Sequence, residues 1–158
     1  CNCYFISIED CMRILVDGDA CPNKTEIAAL AKKYHIPMLV YIDYAHELVN
    51  DYYEVIQCAI GHDSVDLVMI KDVQVGDIAI TQDYGLASLL LAKGATVIHP
   101  KGMIIDEHNI DSFLMSRFIA AKQRKARQRL KGPSARTKED CDRFLDVLEK
   151  TVIKTSDF

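Results

Sequence analysis

Short apolar runs that stop at polar tips, separated by stretches with helical spacing, constrain this fold more than any other feature of the chain. Residues 12–16 (MRILV) run into Asp17-Gly18-Asp19, and residues 38–42 (MLVYI) follow Pro37. Residues 78–81 follow a turn at Gly76 and Asp77, and residues 95–99 are stopped by Pro100. Residues 53–60 are β-branched and apolar enough for one more strand. Between these runs lie helix signals. Pro22 suits a first helical turn, and Ile27, Leu30, Ala31 and Tyr34 recur at helical spacing. Asp63 or Ser64 caps a short helix running through Val73. Leu86, Leu89, Leu90 and Lys93 mark a third helix, closed by Gly94. The polar stretch 43–51 remains unassigned.

Strands alternating with helices predict an α/β fold: a parallel central sheet with helices on both faces. After residue 105 the pattern turns helical. Ile110, Phe113, Leu114, Phe118 and Ile119 make one apolar stripe. LKGPSART reads as a loop, and Thr137 opens a last helix with Phe144, Leu145 and Leu148 facing inward. These C-terminal helices complete a single domain over residues 12–150, in keeping with a chain of 158 residues. Residues 151–158 read as a tail. Residues 1–11, which precede Met12, read as an upstream or artificial extension without the features of a secretory signal. No apolar run approaches the roughly 18 residues of a membrane span. Beyond residue 11, Cys21, Cys58 and Cys141 form no CxxC pair, so reduced thiols and a cytoplasmic location are expected, with Cys58 in the core.

Charge is divided unevenly. Residues 117–138 carry nine of the 19 Lys and Arg residues and no acid, which leaves a net −13 on the rest of the chain. A cationic arm on an acidic body fits a polyanion on the arm and a cation on the body. Ligands of open parallel sheets gather beyond the carboxyl ends of the strands, where strand order reverses. Two strands end there in acids: strand one in Asp17-Gly18-Asp19, strand four in Thr81-Gln82-Asp83. If these strands are neighbours, Asp17 and Asp83 converge. Asp63 and Asp66, three apart at a helix start, share one face and can add ligands. Crowded carboxylates must protonate or bind a cation, and hard oxygen ligands suit Mg²⁺ or Mn²⁺.

Each of these features also has a structural explanation. A lone Asp at a helix start is more often a cap than a ligand, and this applies most to Asp19 and Asp63. Thr81 suits a turn hydrogen bond. Asp77 precedes its strand, at the wrong end of the sheet for the site. Tyr44 and Tyr84 are able to stack on bases, although a Tyr beside a turn is more often packing. His35, His46, His62, His99 and His108 show no metal spacing.

The segments MRILVDGDACP, GHDSVDLVMIKDVQVGDIAITQDYGLASLLLAKGATVIHPKG and KGPSARTKEDCDRF resemble the YaiI/YqxD family of small bacterial proteins, grouped by fold with PIN-like nucleases. The resemblance covers residue 12 to about residue 150. It implies a PIN-like three-layer fold with strand order 3-2-1-4-5. It places Asp17 on the first-strand acid of PIN-like nucleases, Asp83 on their T-x-D acid and Asp66 on a helix-borne acid. Asp19 is an added carboxylate beside the first. The pattern departs from typical PIN domains after strand two, where Glu47 is the nearest acid.

Three functions are expected from these features. The first is a divalent-metal-dependent nuclease acting on RNA or single-stranded nucleic acid. Asp17, Asp19, Asp66 and Asp83 would hold Mg²⁺ or Mn²⁺, with Asp17, Asp66 and Asp83 catalytic. Arg124, Lys125, Arg127, Arg129, Lys131 and Thr81 would contact the substrate. The second is a phosphatase of the haloacid dehalogenase type, with Asp17 as nucleophile and Asp19 as general acid. The third is a non-catalytic nucleic-acid-binding protein. A homodimer is compatible with all three.

Overall fold

The structure is a computed structural model that describes residues 12–18, 21, 23–43, 52–58, 64–125 and 137–156. Its elements follow the order β1 (Ile14–Asp17), α1 (Lys24–Lys33), β2 (Met38–Asp43), β3 (Glu54–Cys58), α2 (Ser64–Asp72), β4 (Ile78–Ile80), α3 (Tyr84–Ala92), β5 (Thr96–His99), β6 (Met103–Ile105), α4 (Ile110–Lys125) and α5 (Lys138–Ser156). The sheet has the order β3-β2-β1-β4-β5-β6. The first five strands are parallel and stand in the expected order. β6, which the sequence reading missed, adds an antiparallel edge, pairing Val97 with Ile105 and His99 with Met103. Gly102 makes its turn at φ 93°, a conformation that costs glycine little. The last helix continues through Ser156, past the expected boundary at residue 150.

β1, β2, β4 and β5 are apolar runs because both faces of the sheet are covered there, whereas the edge strand β3 carries the exposed Glu54 and Gln57. Ile14, Val16, Val40, Ile78, Ile80 and Ile98 face one layer, where Ile27, Leu30 and Ala31 of α1 meet Phe144, Leu148 and Val152 of α5. Leu15, Tyr41, Ala79 and Val97 face the other, against Val65 and Met69 of α2, Leu86 and Leu90 of α3, and Ile110 of α4. Cys58 is buried on this second face. The stripe expected on α4 is only half used. Ile110 is buried and Phe113 and Leu114 pack on the core, whereas Phe118 and Ile119 are 56% and 49% exposed. The stripe continues past the surface that the sheet and α3 offer it.

Polar contacts close the ends of the layers. At the amino ends of β1 and β4, Arg13 pairs with the fully buried Asp77 at 2.7 Å and also donates to the Asp72 carbonyl. Tyr41 donates to Asp72, and burial together with that carboxylate holds its phenol well above the ordinary value. Lys33 of α1 and Tyr34, its C-cap, both donate to Glu149 of α5. Thr137 and Asp140 cap α5 reciprocally, each backbone N–H donating to the other's side chain, at 3.0 Å from Thr137 and 3.1 Å from Asp140. Thr137→Ala is expected to lower the melting temperature by about 2–4 °C at neutral pH. The Thr137 N–H holds the Asp140 carboxyl below the usual carboxylate range. That contribution is therefore present above the ordinary carboxylate pKa and fades as pH falls through the depressed one. Thermal melts of wild type and Asp140→Asn across the acid range check this, because their difference is expected to shrink as pH falls, whereas Thr137→Ala keeps the backbone N–H at residue 137.

Candidate functional site at the carboxyl edge

β1 and β4 are direct neighbours, with Ile14, Leu15 and Val16 opposite Ile78, Ala79 and Ile80. One step beyond that register, Asp17 and Thr81 leave the sheet on the same face as Leu15 and Ala79. The Thr81 hydroxyl donates to Asp17 Oδ2 at 3.1 Å. Thr81 Oγ1 in turn accepts the backbone N–H of Asp83 at 3.1 Å. Thr81 is fully buried and Asp17 is 8% exposed, so this bridge satisfies polar groups that burial would otherwise penalise. Beyond the turn hydrogen bond expected of it, Thr81 couples the ends of both strands.

Asp83 is the N-cap of α3. Its Oδ1 accepts from the N–H groups of Gly85 at 2.9 Å and Leu86 at 3.2 Å. Arg117 of α4 donates to the same oxygen at 3.2 Å. All of these donors fall on Oδ1, which leaves Oδ2 outside the cap. Capping was expected above all of Asp19 and Asp63, both of which lie outside the described residues. Asp66 is half-buried in the first turn of α2. Tyr84 stacks on Phe113 at 4.8 Å and on His99 at 5.7 Å, so its ring packs between protein rings. Burial raises the Tyr84 phenol above its ordinary value, and Arg117 offsets part of that.

The arrangement fits a hard cation that needs few protein ligands. Mg²⁺ keeps several waters and is commonly held by one or two carboxylates together with substrate phosphate. Asp17 and Asp83, joined through the Thr81 hydroxyl and the Asp83 backbone N–H, are the residues that could hold such an ion. Among the described residues no three His, Cys, Asp or Glu side chains form a ready-made cage. Of the cationic arm, Arg124 and Lys125 end α4, while Arg127, Arg129 and Lys131 lie outside the described residues. A cavity of about 380 Å³, lined in part by Leu91, Thr96, Ile104, Asp106 and His108, lies at the amino end of β5, away from this site.

A family model described as "Uncharacterized BCR, YaiI/YqxD family" matches residues 15–154. The chain belongs to the YaiI/YqxD family. A UPF0178 protein of Clostridium kluyveri is 42% identical over 142 residues, covering 90% of this chain and 93% of that protein. One from Natranaerobius thermophilus is 42% identical over 145 residues, covering 90% and 97%. A third, from Ruminiclostridium cellulolyticum, is 46% identical over 137 residues, covering 87% and 90%. No solved structure matches the chain.

Two stretches within the segments that carry the YaiI/YqxD resemblance, DGDACP and TQDYGLA, begin at this edge, at Asp17 and Thr81. The site also includes a residue that sequence reasoning missed. Arg117 is the only basic residue in the first three turns of α4. It stands one helical turn after Phe113, on the face that meets α3. That i, i+4 spacing was the available signal, but nothing local ties residue 117 to residue 83. No described helix is long and apolar enough to cross a membrane.

Proposed function

We propose that the protein is a divalent-cation-dependent phosphodiesterase acting on RNA or single-stranded nucleic acid, with its site at the carboxyl ends of β1 and β4. The observation that carries this reading is the Asp17–Thr81–Asp83 linkage. It holds an almost dry carboxylate at the point where the sheet order reverses. Asp17 and Asp83 would hold Mg²⁺ or Mn²⁺ directly, with Asp66 and Asp19 assisting. Such a cation supplies the positive charge that a phosphodiester needs to accept in-line attack. Thr81 spends its only proton on Asp17, which orients that carboxylate. The cap bonds to Asp83 Oδ1 fix the orientation of the second carboxylate. Arg124, Lys125, Arg127, Arg129 and Lys131 would bind phosphates along the strand. A cytoplasmic location belongs to the same reading, supported by the wide spacing of Cys21, Cys58 and Cys141, which form no CxxC pair.

Calorimetric titration with Mn²⁺ and Mg²⁺ tests the site. Wild type is expected to bind Mn²⁺, and Asp17→Asn/Asp83→Asn is expected to lose that binding while keeping its fold by circular dichroism. Asp17→Asn alone is expected to abolish RNA cleavage. Equal Mn²⁺ binding by wild type and the double variant, or cleavage retained by purified Asp17→Asn, would falsify the assignment.

A further inference from the structure

Among the described residues, no layer covers the outer face of α4. Phe113 and Arg117 dock one edge of the helix against the start of α3, through Tyr84 and Asp83. The adjoining face carries Met115, Phe118 and Ile119, exposed by 58%, 56% and 49%. The Lys122 ammonium sits over the Phe118 ring, 4.9 Å from its centroid. Arg117, immediately before Phe118, has a side chain 58% exposed. Asp111 in the first turn is the sole acid of α4, whereas Arg117, Lys122, Arg124 and Lys125 follow it.

This pattern discriminates among occupants. If a second copy docked by the same face, symmetry would bring Arg117 and Lys122 against their own equivalents, and like charges in contact oppose that pairing. A duplex presents phosphates but keeps its bases stacked inside. A single strand offers phosphates to cations and free base faces to an exposed ring, the combination that stacking platforms use. Arg117 is in addition the cation that already reaches the cap residue of the proposed site. Its pair with Asp83 is solvent-exposed on both sides, and such pairs contribute little, so exchange for a phosphate is inexpensive.

We infer that α4 is the strand-binding surface of the protein: Phe118 stacks an unpaired base, and Arg117 seats the neighbouring phosphate beside Asp83. The inference rests on the phosphodiesterase reading and narrows its substrate to unpaired nucleic acid.

The experiment measures binding of a short single-stranded RNA, and of the same strand annealed to its complement, by fluorescence anisotropy across a salt series. Phe118→Ala is expected to weaken single-strand binding about tenfold and leave duplex binding unchanged. Phe118→Trp is expected to retain it. Arg117→Met is expected to weaken binding and reduce the salt slope by about 0.7, one phosphate contact. The inference is overturned by wild type that binds no single strand. It is equally overturned if Phe118→Ala binds like wild type, if it weakens single strand and duplex alike, or if it merely dissociates a dimer in sedimentation. Mn²⁺ titration of the same variants separates the two readings. A chain that binds Mn²⁺ through Asp17 and Asp83 but no RNA fails only here. One that binds RNA through Phe118 but no Mn²⁺ fails only in its catalytic assignment.

Discussion

Asp77→Ala is expected to destabilise the protein by about 3–4 kcal/mol, the cost of removing one partner from a buried ion pair. Asp77 is fully buried at the amino end of β4, and three donors depend on its carboxylate. Arg13 Nη2 reaches Oδ2 at 2.7 Å, Arg13 Nε reaches Oδ1 at 3.4 Å, and the Gln74 N–H reaches Oδ2 at 2.8 Å. Hydrogen bonding to Asp77 is the main reason that the Arg13 guanidinium is held above its ordinary pKa. Truncation would leave that charge with the Asp72 carbonyl alone and the Gln74 N–H without its acceptor. Asp77→Asn keeps one oxygen to accept from Gln74 and Arg13 Nη2 but loses the charge and the acceptor for Arg13 Nε, so it should cost less than Asp77→Ala yet still be clearly destabilising. Urea denaturation measures both. Because the pair sits at the opposite end of the sheet from Asp17, folded Asp77→Ala should bind Mn²⁺ like wild type. A loss below about 1 kcal/mol would mean that the Arg13 side chain finds water instead of the carboxylate.

The contrast between Asp77 and Asp83 shows what a sequence can disclose about such a fold. Strands buried on both faces are written as unbroken apolar runs, so β1, β2, β4 and β5 were legible within a residue or two. The order of the first five followed from the family resemblance. β6 was not legible: three residues after a Pro-Lys-Gly turn carry no period, and pairing with β5 is what makes them a strand. Asp17, Thr81 and Asp83 were legible as polar ends of apolar strands, and Asp77 as a residue at the wrong end. Their division of labour was not. Thr81 reaches Asp17 across 64 positions, and Arg117 reaches Asp83 across 34, distances over which local pattern is silent. Periodicity also joined Phe118 and Ile119 to the core stripe of α4. A period names the face of a helix, but whether another layer reaches that far along it is decided by tertiary packing.

Gly18→Ala is expected to cost about 3 kcal/mol, at the upper end of overpacking substitutions, and to weaken Mn²⁺ binding in the molecules that still fold. The requirement for glycine here is space rather than a left-handed backbone. A Cβ at residue 18 would lie 2.6 Å from Ile42 Cγ2 and 2.8 Å from both the Tyr41 carbonyl oxygen and Val40 Cγ1. The carbonyl is the least able to yield, because it accepts the Gly18 N–H at 2.8 Å and so ties β1 to β2. Relief therefore has to come from the end of β1, whose preceding residue is Asp17. Moving it strains the 3.1 Å bond from Thr81 that holds the carboxylate in place. Gly85→Ala is the matched control on the other side of the site. Its Cβ meets only Asp83 Oδ1, at 3.3 Å, and alanine favours the helix, so stability should change by less than about 1 kcal/mol. Denaturant midpoints and Mn²⁺ titrations on both variants give the comparison. Gly18→Ala with wild-type stability would show that β1 and β2 are farther apart at this edge. Reduced stability with unchanged Mn²⁺ affinity would instead separate the packing of β1 from the cation site, and Asp17 would lose its place in it.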